Sequence, residues 1–256
     1  LWKEVGKVSK KQQQKFFQMK ASADGKSADI FIYGEITKWA WEELGEVSSI
    51  TFKSELDALG DDVGTINLYI NSPGGSVFEG LAIGNMLKRH KARVIAHVDA
   101  LAASIASVIA MFADEVRMAS NSLMMIHNAW TWASGNAEQL RKAADDIERI
   151  NESVIQSYLD KAGDKLNNDT LKSLLDSETW LSAEEAFNYG LCDAIDDFNE
   201  AAACIDEKLI NQYKNVPQQL LQQKPSTPVM SAEEKALRER IIADSKANLT
   251  YLETIL

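Results

Sequence analysis

The sequence predicts an α/β domain with a mainly parallel sheet, and three observations lead to this fold class. Short apolar runs bounded by turn residues alternate with segments whose apolar residues recur at helical spacing, which is typical of a parallel sheet covered by helices. The 256 residues are 45% apolar and 25% charged, an ordinary globular composition. A polar arm at 1–27 and a linker with Pro and Gln at 215–230 flank the alternation, so we expect the body at 28–197.

The expected elements of the body follow from the apolar spacing and from the residues that stop each run. Strands are predicted at 29–34, 65–70, 93–98, 115–118, 123–126 and 191–195. Helices are predicted at 48–60, 77–89, 102–112, 136–161 and 182–189. The last helix begins with the capping box Ser182-Ala183-Glu184-Glu185 and ends before Gly190.

The helix at 136–161 is unusually long for a domain of this size. Its apolar residues recur every three or four positions: Leu140, Ala144, Ile147, Ile150, Val154 and Tyr158. At about 1.5 Å per residue it would be about 40 Å long. A helix of that length with one apolar stripe either lies across its own domain or projects and packs on another subunit.

The region after the body is predicted to be a helical extension. A helix is expected within 198–214, and Pro217, Pro225 and Pro228 mark the linker at 215–230. A second capping box then opens an amphipathic helix at 231–256. This tail helix needs a docking surface for its apolar stripe, either on the body or on a neighbour.

Composition argues against several classes of function. The net charge of −11 disfavours nonspecific binding to nucleic acid, which depends on Lys and Arg. The sequence contains no run of about 18 apolar residues, so no membrane span is predicted. The start Leu1-Trp2-Lys3-Glu4 has no secretory signal core. Two cysteines and three histidines are too few for most structural zinc sites. We therefore expect no metal and no cofactor, and a cytoplasmic location.

Two segments that follow predicted strands could bind a developing negative charge and supply a nucleophile. The paired glycines of Pro73-Gly74-Gly75 leave backbone N–H groups unhindered, although a tight turn explains them equally well. Ser104 lies among small residues where a helix begins, which exposes its hydroxyl beside free N–H groups. An N-cap serine is the alternative interpretation.

Two further segments could supply a base and an acid. His127 ends an apolar strand and could accept a serine proton near neutral pH, whereas His97, inside another strand, is expected in the core. Asp176 and Glu178 precede an aromatic residue and the capping box, where either carboxylate could also be an ordinary helix-end acid. Together, the four segments hold what serine acyl transfer requires, and the ends of parallel strands bring such groups together.

At these residues the sequence resembles the ClpP proteolytic subunit family. The stretch Leu68-Tyr69-Ile70-Asn71-Ser72-Pro73-Gly74-Gly75 is similar to the signature strand and turn of that family. Ala102-Ala103-Ser104 and Met125-Ile126-His127 are similar to its nucleophile and histidine motifs. Leu181-Ser182-Ala183-Glu184-Glu185-Ala186, followed by Tyr189-Gly190-Leu191, resembles its closing helix and strand.

The resemblance covers 28–197 and implies a ClpP/crotonase-like spiral fold of ββα units. The helix at 136–161 would be the protruding handle helix that joins subunits. Ser104 would be the nucleophile and His127 the general base of a serine endopeptidase. The backbone N–H groups of Gly75 and Ile105 would form the oxyanion hole. The family also implies a homo-oligomeric ring whose chamber admits polypeptide substrates.

Three positions depart from the family pattern. Glu178 stands where the family has its catalytic Asp, and Asp176 stays open as the alternative third member of the triad. Asn128-Ala129-Trp130-Thr131-Trp132 replaces a Pro-Leu-Gly-Gly run, so we expect Gly74, Trp130 and Trp132 to contact substrate and to alter the cleavage preference. Asn67 replaces an aromatic residue in the patch where partner ATPases dock.

With these departures, the sequence resembles the ClpP-related proteases found among tailed-phage head genes. That branch implies trimming of capsid or scaffold protein inside a prohead of an infected host, whereas the housekeeping branch implies an AAA+ unfoldase partner. Two other functions stay open: a catalytically inactive assembly or scaffold protein of the same fold, and a crotonase-superfamily acyl-CoA enzyme. The latter needs no pair of serine and histidine.

Overall fold

A computed structural model of the protein describes residues 17–22, 26–38, 40, 46–60, 62–197 and 213–217. The chain divides into a unit at 1–216 and a second unit at 217–256. The predicted tail helix at 231–256 and most of the predicted linker lie outside the described residues. Among the helices in those ranges, none is long and apolar enough to cross a bilayer.

The described residues form a mixed α/β structure. The strands are β1 Phe17–Ala21, β2 Ser27–Ile32, β3 Thr65–Ser72, β4 Arg93–Ala103, β5 Glu115–Ala119, β6 Leu123–Ile126, β7 Thr179–Ser182 and β8 Ala194–Asp196. The helices are α1 Ser49–Ala58, α2 Val77–Arg89, α3 Ile105–Met111, α4 Ala137–Ala162, α5 Asn168–Asp176 and α6 Ala183–Asn188. This architecture confirms the predicted fold class.

The sheet is mostly parallel and β4 lies at its centre. Its order is β1-β2-β3-β4-β5-β8, with β6 beside β4 and β7 beside β6. Among the strand pairs of the described residues, only β1–β2 and β6–β7 are antiparallel. Ser72 pairs with Ala102, and Ala103 pairs with Met125. The carboxyl ends of β3, β4 and β6 therefore lie side by side, which is where parallel sheets gather functional groups.

One face of the sheet is buried under helices, and glycines let two of those helices approach closely. Alternate residues of β2 and β3 are buried, the period expected of a strand with one covered face. A Cβ on Gly80 of α2 would lie 2.2 Å from the Ile105 side chain, and one on Gly84 would lie 2.4 Å from Phe112. This close packing seats α3 directly against α2.

The opposite face of the sheet carries a stack of half-buried aromatic rings. Tyr69 stacks on Phe31 at 4.8 Å and on His97 at 4.9 Å between ring centroids. The apolar strand around His97 predicted a core position for this residue. The structure instead places it outside the main core. It lies at an alternate position of β4 that faces away from the helices, and partial burial lowers its pKa.

The first half of helix α4 projects from the body rather than lying across it. Its first half, 137–149, has no buried residue. Its second half is anchored by the buried residues Val154, Tyr158 and Ala162. Asn136 caps the helix, with Gln139 completing a capping box.

Several predicted boundaries were wrong for identifiable reasons. Phe17–Ala21, which we placed in the polar arm, forms an antiparallel strand with β2. Ala102 and Ala103 belong to β4 rather than to α3, because they pair with β6. The predicted strand at 191–195 is shorter and later, at β8. The predicted helix at 198–214 lies outside the described residues except near its end, where Tyr213 and Lys214 are not helical.

Candidate active site

Ser104 occupies a strained turn between β4 and α3. It is the N-cap of α3, with φ 54° and ψ −128°, a left-handed conformation that costs a non-glycine residue free energy. Its N–H donates to the carbonyl of Met125 at 2.9 Å, and its carbonyl accepts from the Ser107 hydroxyl at 2.6 Å. These contacts hold the hydroxyl at the end of the strand, as in a nucleophile elbow.

A buried network connects this turn to the base of α4. The hydroxyl oxygens of Ser107 and Tyr158 lie 2.6 Å apart. Because the single proton of Ser107 is directed at the Ser104 carbonyl, the Tyr158 hydroxyl donates to Ser107. Tyr158 is only 1% exposed, and burial raises its pKa. The projecting helix thus supports the serine turn through two hydroxyl groups.

His127 lies within hydrogen-bond distance of this serine. Its Nε2 is 2.8 Å from Ser104 Oγ. The histidine directly follows β6, whose Met125 carbonyl also holds the backbone of Ser104. Burial lowers the pKa of His127 and the charge of Glu178 opposes that effect. A lowered pKa favours the neutral imidazole, the form that can accept a proton.

The two candidate acids have different surroundings. Glu178, at φ 46°, is the carboxylate whose charge raises the pKa of His127. Among the described residues, no hydrogen bond joins it to the imidazole; its Oε1 accepts instead from the backbone N–H groups of Lys214 at 2.6 Å and Asn215 at 2.8 Å. Asp176 is exposed and accepts from the Asn128 side chain at 2.7 Å. Of the two carboxylates, only Glu178 affects the pKa of His127.

The glycine turn after β3 lies directly against the serine. A Cβ on Gly74 would be 2.7 Å from Ser104 Cβ and 3.2 Å from the Ile105 nitrogen. Ile36 pairs with the residues on either side of Gly75, since its N–H donates to the Gly74 carbonyl and its carbonyl accepts from Ser76. The N–H groups of Gly75 and Ile105 donate to no acceptor in the described ranges, which leaves both available to an anion.

The predicted substrate residues Trp130 and Trp132 lie on the segment that follows His127. Their side chains are 56% and 90% exposed and form an edge-to-face pair with ring centroids 6.5 Å apart. The Ala129 N–H donates to Asn151 of α4 at 2.7 Å, which ties the segment to that helix. The tryptophans thus present an apolar surface close to the histidine in sequence.

Tyr213 also lies at the site, although its sequence context did not predict it. Its side chain is 8% exposed, its hydroxyl donates to the Pro73 carbonyl, and its ring meets His127 edge to face at 5.4 Å. We placed this residue at the end of a predicted helix. The available signal was that Tyr213 is the one aromatic residue between 199 and 230, directly ahead of the linker.

This arrangement can activate a hydroxyl group for attack on a carbonyl. It combines a serine at a strained turn, an imidazole at hydrogen-bond distance, a nearby carboxylate and two backbone N–H groups without an acceptor in the described ranges. These parts match the roles in serine acyl transfer.

Comparison with known proteins identifies relatives for the same part of the chain. A family model described as Clp protease matches residues 15–198, which includes β1. The chain is 35% identical over 134 residues to "ATP-dependent Clp protease proteolytic subunit 2" of Synechococcus sp. (strain CC9605), covering 52% of this chain and 67% of the relative. It is 34% identical over 132 residues to "ATP-dependent Clp protease proteolytic subunit" of Ligilactobacillus salivarius (strain UCC118), covering 51% and 66%. Because the family model matches well over half of its residues, the chain belongs to the Clp protease family.

Proposed function

We propose that this protein is a serine-type endopeptidase that hydrolyses peptide bonds through an acyl-enzyme. The observation that carries this proposal is the 2.8 Å distance between Ser104 Oγ and His127 Nε2, at a strained turn between a strand and a helix. Membership of the Clp protease family supports the same reaction.

The reaction proceeds in two stages. The Ser104 hydroxyl gives its proton to His127 Nε2 as its oxygen bonds to the peptide carbonyl carbon. The carbonyl oxygen becomes negative and accepts hydrogen bonds from the N–H groups of Gly75 and Ile105, each typically worth about 2.7–4 kcal/mol of barrier. When the intermediate collapses, the C–N bond breaks, and His127 returns the proton to the leaving amine. Water then repeats the sequence on the ester, which releases the acid and restores Ser104.

Glu178 stabilises the imidazolium that forms in both stages. Its charge raises the pKa of His127 in the folded protein, so the same charge favours the protonated ring during the reaction. A carboxylate near the imidazole is the third part of this catalytic machinery, and the resemblance puts Glu178 in that position.

The substrates are polypeptides, and the active form is a homo-oligomer. The exposed half of α4 carries Leu140, which is 44% exposed, and a second copy of this helix would bury that stripe. The named relatives are subunits of ATP-dependent proteases, which makes an AAA+ unfoldase a candidate partner. Trimming of capsid or scaffold protein in phage heads, in the cytoplasm of an infected host, stays a prediction from the resemblance.

A peptide-hydrolysis assay tests the proposal. Wild-type protein and Ser104→Ala are compared on a fluorogenic peptide small enough to need no unfoldase, after light scattering shows the same assembly state. The wild type should turn over and Ser104→Ala should not. Ser173→Ala, which removes an exposed hydroxyl on α5, is the matched control and should keep full activity. Equal turnover in the Ser104→Ala variant would exclude the proposed nucleophile.

A further inference from the structure

We propose that residues 213–215, here called the strap, position the acid and the histidine of the active site. The inference rests on the proposed serine peptidase function and assigns part of that function to the extension beyond 198, outside the span of the family match. Tyr213, Lys214 and Asn215 are positioning residues in this proposal, since each would act through its contact with Pro73, His127 or Glu178.

The strap contacts three parts of the site at once. The Tyr213 hydroxyl donates to the Pro73 carbonyl, which directly precedes the glycine turn. The Tyr213 ring meets the imidazole of His127 at 5.4 Å and 86°, a favourable edge-to-face geometry. The next two backbone N–H groups both donate to Oε1 of Glu178, at 2.6 and 2.8 Å.

The two N–H donors determine where the carboxylate lies. Glu178 has several rotatable bonds and is only half-buried, so its side chain alone would not keep a single position. Two hydrogen bonds to one charged oxygen are stronger than neutral ones and restrict its direction. With the carboxylate fixed, its electrostatic effect on His127 is the same at every turnover.

Tyr213 connects the glycine turn to the imidazole. Its packing is separate from the main core, because Leu101 and Ala103 face the opposite side of β4 from Ala102. Tyr213 lies on that side with Met125 and with the partly buried side chains Leu123, Trp180 and Val216. Val216 shares this packing, but none of the active-site hydrogen bonds described above involves it. It is therefore a matched control for a purely structural effect.

The first test removes one N–H from the strap. Asn215→Pro deletes the donor to Glu178, whereas Asn215→Ala keeps that donor and loses only the side-chain bond to the Ser177 carbonyl. We expect kcat of Asn215→Pro to fall about 10- to 100-fold, with KM within about twofold and unfolding temperature close to that of Val216→Ala. The kcat of Asn215→Ala should decrease much less than that of Asn215→Pro, and Val216→Ala should keep the wild-type kcat.

A double-mutant cycle decides whether the strap acts through the carboxylate. If it does, Asn215→Pro should lower kcat much less in a Glu178→Ala background than in the wild type, because no carboxylate is left to position. An equal loss in both backgrounds, or a loss no larger than that of Asn215→Ala, would overturn the inference.

A second variant keeps the inference testable should Asn215→Pro fail to fold. Tyr213→Phe retains the ring and its apolar packing but leaves the Pro73 carbonyl without its donor. We expect kcat to fall about threefold or more at unchanged KM, and full kcat would contradict the proposed connection. These outcomes presuppose a wild-type enzyme whose hydrolysis depends on Ser104. If the wild type shows none, the proposed function fails first, and the inference fails with it.

Discussion

Gly75 lies so close to Ile36 that a Cβ atom on it would be 2.1 Å from the Ile36 carbonyl oxygen. Its φ of 141° is also outside the range that side chains readily adopt. The close approach holds the turn in place while the Gly75 N–H points to no acceptor in the described chain. A single position thus combines a steric requirement for glycine with a candidate role in binding the oxyanion.

Gly75→Ala should therefore lower kcat by about 100-fold or more, because the backbone must move away from Ile36 and take its N–H with it. Gly60→Ala is the matched control: it also has a positive φ, of 79°, but no atom lies within 4 Å of its Cβ position. Both variants should lose stability, whereas only Gly75→Ala should lose activity. Full activity in folded Gly75→Ala would exclude this oxyanion donor.

Glu178→Gln should move the acid limb of the kcat/KM profile to lower pH. Burial lowers the pKa of His127 and Glu178 raises it, so removing the charge lowers that pKa further. Because the neutral ring is the active base, activity then persists to lower pH, while kcat at neutral pH falls for lack of imidazolium stabilisation. Asp176→Asn should leave the limb in place. A shift of the acid limb to higher pH in Glu178→Gln would contradict this assignment. A shift to lower pH in Asp176→Asn but not in Glu178→Gln would contradict it as well.

Tyr158→Phe should destabilise the fold by about 1 kcal/mol, the net value of one buried neutral hydrogen bond. The hydroxyl supports Ser107 and, through it, the Ser104 turn. Differential scanning calorimetry should show a decrease in unfolding temperature of about 2–4 °C. Tyr189→Phe is the control, because the Tyr189 hydroxyl has no hydrogen bond within the described ranges. Equal stability of both variants would rule out a supporting role for the Tyr158 hydroxyl.

Trp130→Ala and Trp132→Ala should raise KM for peptides with large apolar side chains by about 3- to 10-fold while kcat changes less than about twofold. Both rings are well exposed and follow His127, the proposed base, in sequence, which suits a surface for substrate side chains. Ile50→Ala removes another exposed apolar side chain, 75% exposed on α1, and should leave KM unchanged. Unaltered KM and cleavage preference in the tryptophan variants would show that substrate binds elsewhere.

Local pattern predicted much of the fold, and contacts distant in sequence account for the errors. Helix α2 and strand β6 have the predicted bounds because their spacing and stop signals are local. The bounds of α3 were wrong, because alanines favour helix by propensity whereas pairing with β6 keeps Ala102 and Ala103 in a strand. Strand β1 could have been found from its alternating Phe17, Met19 and Ala21.

The candidate site shows the same division between local and distant information. Motifs at strand ends indicated Ser104, His127 and the glycine turn. Tyr213 could not be assigned in that way, because its contact with Pro73 joins residues 140 positions apart. The sequence likewise does not choose between Asp176 and Glu178, because their surroundings depend on contacts with Asn128 and with residues 214–215 that lie far along the chain.

The most direct test of the central claim is mass-spectrometric mapping of the adduct formed with a fluorophosphonate probe. An activated serine beside a neutral histidine should give one adduct on the peptide that contains Ser104, and His127→Ala should suppress it. A noncatalytic scaffold would give no adduct, and an acyl-CoA enzyme would turn over CoA thioesters without one. Either of those results in the folded, assembled protein, or an adduct on a different residue, would contradict a Ser104–His127 peptidase.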